Sequence, residues 1–262
     1  MNHAFVIPAY GESPHLSSCI DSILGQSAAT SEVLLTTSTP SVFLNKIADK
    51  YRIPLLVNPV RDGIASDWNF ALTAPDARFV TLAHQDDYYD PRYTTFMFAA
   101  IDRHPDMLIA FSNSSEHTPL GPRKVNINLQ IKRLLSVRAF GSKEALVRPQ
   151  DKLRLISLGN PICCPSVIIN RGLVPDFRFA AGMKSNLDWE AWAQLALMPG
   201  AFVYLKTPLV SKGVHAASET SALIANRLRE KEDRQMFDRF WPTPVAAAIA
   251  MVYKSGYWAN RV

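Results

Sequence analysis

The chain has 262 residues, 48% of them hydrophobic, with a formal charge of +5 and a pI of about 9.1. This length and composition predict one large folded domain, or one domain with an appended subdomain, and exclude a disordered or low-complexity chain. Lysine and arginine are scattered without a basic stripe between aromatic residues, which argues against nucleic acid and leaves an anionic small molecule or membrane surface as the partner.

Apolar runs and helical spacing alternate through the first half of the chain. They predict strands over 5–7, 33–35, 55–57, 79–83 and 108–111. The predicted helices begin after Ser13 and Ser41 as N-caps, and two more span 64–73 and 93–104. This order predicts a mostly parallel sheet with helices on both faces, so that the loops after the first four strands share one edge.

The regular alternation stops after residue 114. Residues 115–140 are polar and basic, and we expect a flexible or acceptor-facing segment there. Further helices are predicted over 143–158, 188–197 and 222–240, and further strands over 166–169, 202–205 and 209–210. The charges at 229–232 are interpreted as a solvated helix face.

The cysteines and the hydropathy pattern indicate a cytoplasmic protein. Cys19, Cys163 and Cys164 fit neither a disulfide framework nor a zinc site, so we expect small buried residues in a reducing compartment. No signal peptide is expected, because the N-terminus enters a strand almost at once. The longest apolar run, 245–253, is far shorter than the ~20 residues of a membrane span.

The strand over 79–83 runs directly into His84, Gln85, Asp86 and Asp87. Adjacent carboxylates at the end of a buried strand are costly unless a positive charge is present. A divalent cation, Mg²⁺ or Mn²⁺, is the usual partner of such hard oxygen ligands. A turn and helix-capping pair before Pro91 is the alternative interpretation.

Five segments in this order resemble the family 2 glycosyltransferases with the GT-A fold, over roughly residues 3–220. The opening strand and helix are similar over 5–27. Gly63 to Asn69 resembles a Gly-x-(Ser/Ala)-x-x-Arg-Asn segment, with Trp68 in place of arginine. The run 84–87 resembles the Asp-x-Asp-Asp metal motif, with His84 in place of the first aspartate, which suggests a sub-branch with His-Gln-Asp-Asp. The remaining segments are Leu187-Asp188, similar to a Glu-Asp pair, and His215, Ser218 and Thr220, similar to His-x-x-Ser-x-Thr.

The resemblance implies an α/β GT-A fold, a Rossmann-like, mostly parallel sheet with helices on both faces and a C-terminal acceptor-side helical region. It implies a glycosyltransferase domain over 1–220, with a nucleotide-sugar half at 1–114 and an acceptor half at 115–220. Residues 221–262 would form a helical extension. Trp241, Tyr253, Tyr257 and Trp258 in this tail suit either peripheral contact with the inner face of the membrane or packing back on the domain.

The implied reaction is metal-dependent transfer of a sugar, with inversion, from a nucleotide-diphosphate donor to an acceptor hydroxyl. A UDP-sugar is the favoured donor and a saccharide or lipid-linked saccharide the acceptor, in cell-surface polysaccharide biosynthesis. Asp86 and Asp87 would hold Mg²⁺ or Mn²⁺. Asp188 would be the general base, with Glu190 as the rival carboxylate.

The donor site implied by the resemblance draws on the loops at the edge of the sheet, and Tyr10 would stack on a pyrimidine. The family's acidic residue after the second strand is replaced here by the hydroxyl run Thr36–Thr39. The expected donor contacts are Pro8, Ala9, Tyr10, Glu12, Thr37, Asp62, His84, Gln85, Asp86 and His215. Two alternatives remain open: a nucleotidyltransferase, and a catalytically degenerate nucleotide-sugar binding protein.

Overall fold

The computed structural model describes residues 2–28, 31–118, 121–123, 127–214 and 228–255, without the side chain of 255. The strands are β1 (His3–Pro8), β2 (Glu32–Thr37), β3 (Leu55–Val57), β4 (Phe79–Leu82), β5 (Tyr88–Tyr89), β6 (Met107–Thr118), β7 (Gly121–Pro122), β8 (Ala145–Leu146), β9 (Val167–Asn170) and β10 (Ala201–Gly213). The helices are α1 (Leu16–Leu24), α2 (Val42–Tyr51), α3 (Gly63–Thr73), α4 (Tyr93–Arg103), α5 (Ile127–Phe140), α6 (Pro149–Ile156), α7 (Leu187–Ala196), α8 (Leu228–Phe240) and α9 (Thr243–Ser255).

These strands form one sheet in the order β3-β2-β1-β4-β9-β6-β10-β5, with β7 paired to β6 and β8 paired to β10. The pairs β3–β2, β2–β1, β1–β4 and β6–β10 are parallel. Strand β9 is inserted antiparallel between β4 and β6. The prediction of a mostly parallel sheet is therefore confirmed.

Side chains alternate along β1 between two hydrophobic cores, one on each face of the sheet. Ala4 and Val6 point into a core built with α3, α6, α7 and α8. Phe5 and Ile7 point into a second core built with α1, α2 and α4. Because successive strand residues face opposite sides, a near-continuous apolar strand requires helices on both faces.

The two predicted N-caps have different outcomes. Ser41 caps α2 as predicted, because its Oγ accepts a hydrogen bond from the Leu44 N–H at 3.2 Å. The Ser13 prediction is wrong, since α1 begins at Leu16 with His15 in the cap position. The Ser13 hydroxyl instead accepts from the His15 N–H in the turn before the helix.

The second half of the chain differs more from the helices and strands that its sequence predicts. Residues 115–140, expected to lack pattern, continue β6 to Thr118 and form helix α5. The helix predicted over 143–158 begins only at Pro149, because 145–146 pair with β10 as β8. The strands predicted over 202–205 and 209–210 are one strand, β10, whose register shifts between Leu205 and Val210. The expected division at residue 114 falls inside β6.

The solvated-face interpretation of 229–232 is wrong for Glu232, which is buried together with Asp233. Helix α8 packs on α7 through Phe237, whose ring meets that of Trp189. The part of the predicted helix over 222–227 lies outside the described residues. Within the described ranges, no helix is long and apolar enough to traverse a bilayer.

Candidate active site

The loops after β1 and β4 are joined by the side chain of Gln85. Its amide accepts a hydrogen bond from the Tyr10 N–H and donates one to the Tyr10 carbonyl, both at 3.1 Å. The Tyr10 ring is 69% exposed. The two loops are thereby fixed side by side, and the Tyr10 ring is left as an open aromatic surface at the carboxyl edge of the sheet.

The other residues expected at the donor end surround this edge. Pro8 is partly buried, Ala9 is buried, and Glu12 is exposed beyond the loop. The Ala9 N–H donates to the Thr36 carbonyl, which holds the loop after β1 against β2. Thr37 is buried, and its hydroxyl accepts from the Thr39 N–H.

Asp67 is a residue of this region that the sequence analysis did not single out. It lies in α3, yet its carboxylate accepts hydrogen bonds from Ser38 Oγ at 3.0 Å and Asn58 Nδ2 at 2.9 Å. A carboxylate therefore lies at the end of β2, although no acidic residue follows β2 in the sequence. Asp62, expected there, occupies the N-cap position of α3, is exposed, and makes no capping hydrogen bond.

The carboxyl group of Asp87 is buried at the end of β4. Its Oδ1 accepts a hydrogen bond from the Gly213 N–H at 2.9 Å, while its Oδ2 has no hydrogen-bond partner among the described residues. Burial, and then the neighbouring Asp86 carboxylate, raise the pKa of Asp87 well above its usual value. The Gly213 N–H and the charge of Lys212 oppose this rise only in part, so the site would be stabilised by a further positive charge.

Two departures from the family motifs, Trp68 and His84, contact each other. Their ring centroids are 5.2 Å apart, and Trp68 also packs edge-to-face on Phe179. Burial lowers the pKa of His84 to about 4, so the imidazole is neutral at pH 7. His84 Nδ1 lies 3.8 Å from Asp87 Oδ2, too far for a hydrogen bond. An aromatic pair thus occupies the place where the family motifs have arginine and aspartate.

Asp188 lies in the first turn of α7 and is half-buried. Its Oδ2 accepts a hydrogen bond from Asn160 Nδ2 at 2.9 Å, and its Oδ1 accepts from the Trp189 N–H at 2.8 Å. Burial raises the pKa of Asp188, and the nearby Lys132 and Arg229 partly oppose this rise. Glu190, the rival carboxylate, is buried against Arg239 and Gln194 in an ion pair and a hydrogen bond.

Two buried cysteines, Cys163 and Cys164, lie near the carboxyl groups of Asp87 and Asp188. Burial raises the pKa of Cys164 well above its usual value, and the charges of both Asp188 and Asp87 add to this rise. The neighbouring Cys163 is acted on by Lys132 and Asp87. Both carboxyl groups therefore lie near the same buried thiol. The sequence predicts only a packing role for these cysteines, since nothing in their residue type or spacing indicates this position.

Two carboxylates of α8 hold the start of α7. Glu232 accepts hydrogen bonds from the backbone N–H groups of Lys184, Ser185 and Asn186 at 2.9, 2.7 and 2.9 Å. Asp233 accepts one from Asn186 Nδ2 at 2.6 Å, so the residue at the N-cap position binds α8 and does not cap its own helix. The turn before Asp188 is therefore positioned by the extension that follows the sheet.

Three residues that resemble a family motif, His215, Ser218 and Thr220, fall outside the described residues. Among the residues that are described, no group of three or more His, Cys, Asp or Glu side chains is arranged to hold a metal ion. Lys132, Lys212 and Arg229 were not predicted as site residues, because their positions in the sequence give no sign that α5, β10 and α8 converge on Asp188.

Comparisons with known proteins agree with this architecture. The model "Glycosyl transferase family 2" matches residues 4–169, whereas no curated protein matches the chain. The mannosyltransferase PcManGT of Pyrobaculum calidifontis, solved with GDP-Man and Mn²⁺, is 16% identical with a TM-score of 0.65, over 99% of this chain and 72% of that one.

Two further solved structures show the same fold. TarS 1-349 of S. aureus, solved with UDP-GlcNAc, is 18% identical with a TM-score of 0.63, over 92% of this chain and 71% of that one. Glucosyl-3-phosphoglycerate synthase of Mycobacterium tuberculosis, solved with Mn²⁺, UDP and glucosyl-3-phosphoglycerate, is 15% identical with a TM-score of 0.54, over 87% and 76%. With the family model matching more than half of its length, this α/β chain of the GT-A type belongs to glycosyl transferase family 2.

Proposed function

We propose that the protein transfers a sugar, with inversion, from a nucleotide-diphosphate donor, preferably a UDP-sugar, to a saccharide or lipid-linked acceptor hydroxyl. The observation that carries the proposal is that the carboxyl groups of Asp87 and Asp188, on different elements of the fold, both lie near the buried thiol of Cys164. One carboxyl group at the donor end and a separate one at the acceptor end are the minimum equipment for this chemistry. Cell-surface polysaccharide biosynthesis, in the cytoplasm and at the inner membrane face, is the proposed setting.

The residues at the end of β4 fit a divalent cation. Asp87 has a buried oxygen without a hydrogen-bond partner, and Asp86 supplies a second carboxylate. Mg²⁺ or Mn²⁺ bound there would neutralise the charge that develops on the departing diphosphate. His84 and Gln85 border this position, and the exposed ring of Tyr10 suits stacking against the base of the donor.

Asp188 is proposed as the general base. Its raised pKa makes it a stronger proton acceptor than an exposed aspartate, while Lys132 and Arg229 favour the carboxylate form. The hydrogen bond from Asn160 fixes one oxygen, and the other lies at the start of α7. Glu190 is a weaker candidate for this role, because Arg239 already pairs with its carboxylate.

The donor half of the proposal is tested by thermal denaturation with UDP, GDP, CMP and TDP, each with and without Mn²⁺. One diphosphate is expected to raise the melting temperature in a Mn²⁺-dependent manner, because a ligand that binds only the folded state stabilises it. Asp86→Asn should abolish the metal-dependent part. Asp90→Asn is the matched control, since Asp90 lies only four residues further on, after β5, but pairs with Arg92. Absence of any shift under every condition would contradict the catalytic proposal.

The acceptor half is tested by Asp188→Asn. Released nucleotide, measured with a cell-envelope extract as acceptor source, should fall by at least about a hundredfold while the donor-induced thermal shift persists. Equal activity in this variant would reject Asp188 as the base. A wild-type protein that binds donor but releases no product with any extract would instead favour the degenerate nucleotide-sugar binding protein, which the replacement of the first motif aspartate by His84 keeps open.

A further inference from the structure

Helix α5 presents a row of aliphatic side chains to solvent. Ile127, Ile131, Leu134 and Val137 are 65%, 46%, 66% and 46% exposed. Residues spaced by three or four positions share one face of a helix, so these four form a continuous apolar strip about 15 Å long. Such strips on a surface helix typically mark a site of contact with another molecule or a membrane.

The segment of chain that carries this strip has charges of a single sign. Between residues 117 and 143 the chain has no Asp or Glu, and its basic residues there are Arg123, Lys124, Lys132, Arg133, Arg138 and Lys143. Arg138 is exposed one turn beyond Leu134, in line with the apolar row, and Lys143 is exposed just after the helix. An apolar face flanked by basic side chains is complementary to an anionic lipid surface.

The opposite face of α5 belongs to the domain. Ser136 and Phe140 are buried, and the Phe140 ring packs against Phe111 and Tyr204. The charge of Lys132, on this inner side, acts on Asp188. A surface bound to the outer face of α5 would therefore lie on the far side of a helix, about 10 Å in diameter, whose inner face carries a lysine near the proposed base.

We propose that α5 lies in the interface of an anionic lipid bilayer, with its apolar row inserted among the headgroups and Arg138 and Lys143 on their phosphates. This inference deepens the peripheral membrane contact of the proposed function and locates it on α5. The tail is less suited to this role where it is described, because Tyr253 packs on Trp189 and Phe237 inside the domain.

A second copy of the chain is a poorer occupant of this face. Two α5 helices packed together would oppose basic surfaces without a carboxylate between 117 and 143 to pair with them. Like charges brought together in this way destabilise an interface. An anionic bilayer satisfies both the apolar row and the basic flanks.

The test is flotation of the full-length protein with vesicles of phosphatidylcholine, alone or mixed with phosphatidylglycerol, without donor or acceptor. Wild type should float with the anionic vesicles only, and less at high salt. Ile131→Ser/Leu134→Ser should lower the bound fraction at least about tenfold. Arg138→Gln should lower it about fivefold. The matched control is Val42→Ser/Leu197→Ser, because these residues of α2 and the end of α7 are 71% and 65% exposed.

Several results would overturn the proposal. They are absence of wild-type flotation with anionic vesicles, equal loss in the test and control variants, and unchanged flotation in the Ile131→Ser/Leu134→Ser variant, which would place the contact elsewhere. A dimer that this variant dissociates in sedimentation velocity would identify a second copy as the occupant. Because no sugar nucleotide is present, these outcomes are independent of the transferase proposal, which the thermal shifts and released nucleotide test.

Discussion

Replacement of Glu232 by glutamine measures how strongly α8 holds the turn before Asp188. The Glu232 carboxylate is 3% exposed and accepts three backbone hydrogen bonds at the amino end of α7. Glutamine has the same shape but only one acceptor oxygen. Its NH₂ group would face the N–H of Lys184 or the pair formed by Ser185 and Asn186.

The magnitude follows from these contacts. One buried N–H loses its partner, at about 1–3 kcal/mol, and two hydrogen bonds lose their charge assistance, at about 1 kcal/mol each. Relief from burying the carboxylate charge offsets part of this loss. We expect the free energy of unfolding of Glu232→Gln to be about 3 kcal/mol below that of wild type.

Urea denaturation followed by tryptophan fluorescence is the assay, with Glu230→Gln as the control on the same helix. Glu230 is a surface residue paired with Lys254, and loss of such a pair changes stability by less than about 1 kcal/mol. If both variants lose the same small amount, the carboxylate of Glu232 does not hold the turn and the reasoning is wrong.

Three further predictions concern other side chains of the protein interior. Lys152→Met should lower the free energy of unfolding by about 2 kcal/mol, because the buried Lys152 ammonium donates to two carbonyls at 2.6 and 2.8 Å; a neutral result in urea denaturation would mean that these carbonyls find other donors. Burial lowers the pKa of His3 to about 3, below the ordinary value that the unfolded chain retains. Stability should therefore fall as the pH drops below about 6.5, by about 2 kcal/mol at pH 5, and an equally steep fall in His3→Gln would exclude His3 as the cause. Trp68→Arg and His84→Asp should each destabilise the protein alone, while the double variant recovers at least about 1 kcal/mol through a new ion pair; strict additivity in the double-mutant cycle would refute this.

The first half of the fold was predictable because its strands and helices each have one clear apolar signal. Phe79 to Leu82 is buried on both faces, and Leu44, Ile47 and Ala48 form the single inner face of α2. Local pattern and tertiary burial agree in such elements, so sequence alone locates them.

The helices and strands of the second half of the chain were harder to predict, because the residues that are buried there do not follow the local apolar pattern. Helix α5 points aliphatic residues outward and Lys132 inward, so its sequence shows no single apolar face. The charged start of α8 has the sequence of a solvated helix. Its Glu232 carboxylate nevertheless accepts hydrogen bonds from backbone N–H groups that are far away in sequence. Long-range hydrogen bonds of this kind leave no periodic trace.

In the candidate site, too, some residues were predictable from the sequence and others were not. The carboxyl groups of Asp86, Asp87 and Asp188 came from motifs, since motifs occupy fixed places on a known fold. The contribution of Asp67 to the end of β2 is visible only when α3 is seen beside Asn58. Trp68 and His84 were both noticed as departures, but only their contact shows that they form one feature.

The hydrogen bond from the Gly213 N–H to Asp87 joins the carboxyl end of β10 to the loop after β4, which lies more than a hundred residues earlier in the chain. A methyl group at position 213 would collide with the Asp86 carbonyl oxygen, so β10 passes this loop too closely for a side chain at that position. Grafting the carboxy-terminal part of a relative onto the amino-terminal part of this chain would break that junction unless the grafted part also had a glycine there. Under the proposed function, donor preference would therefore be better re-engineered by changing single side chains around Tyr10 and Asp67 than by exchanging segments.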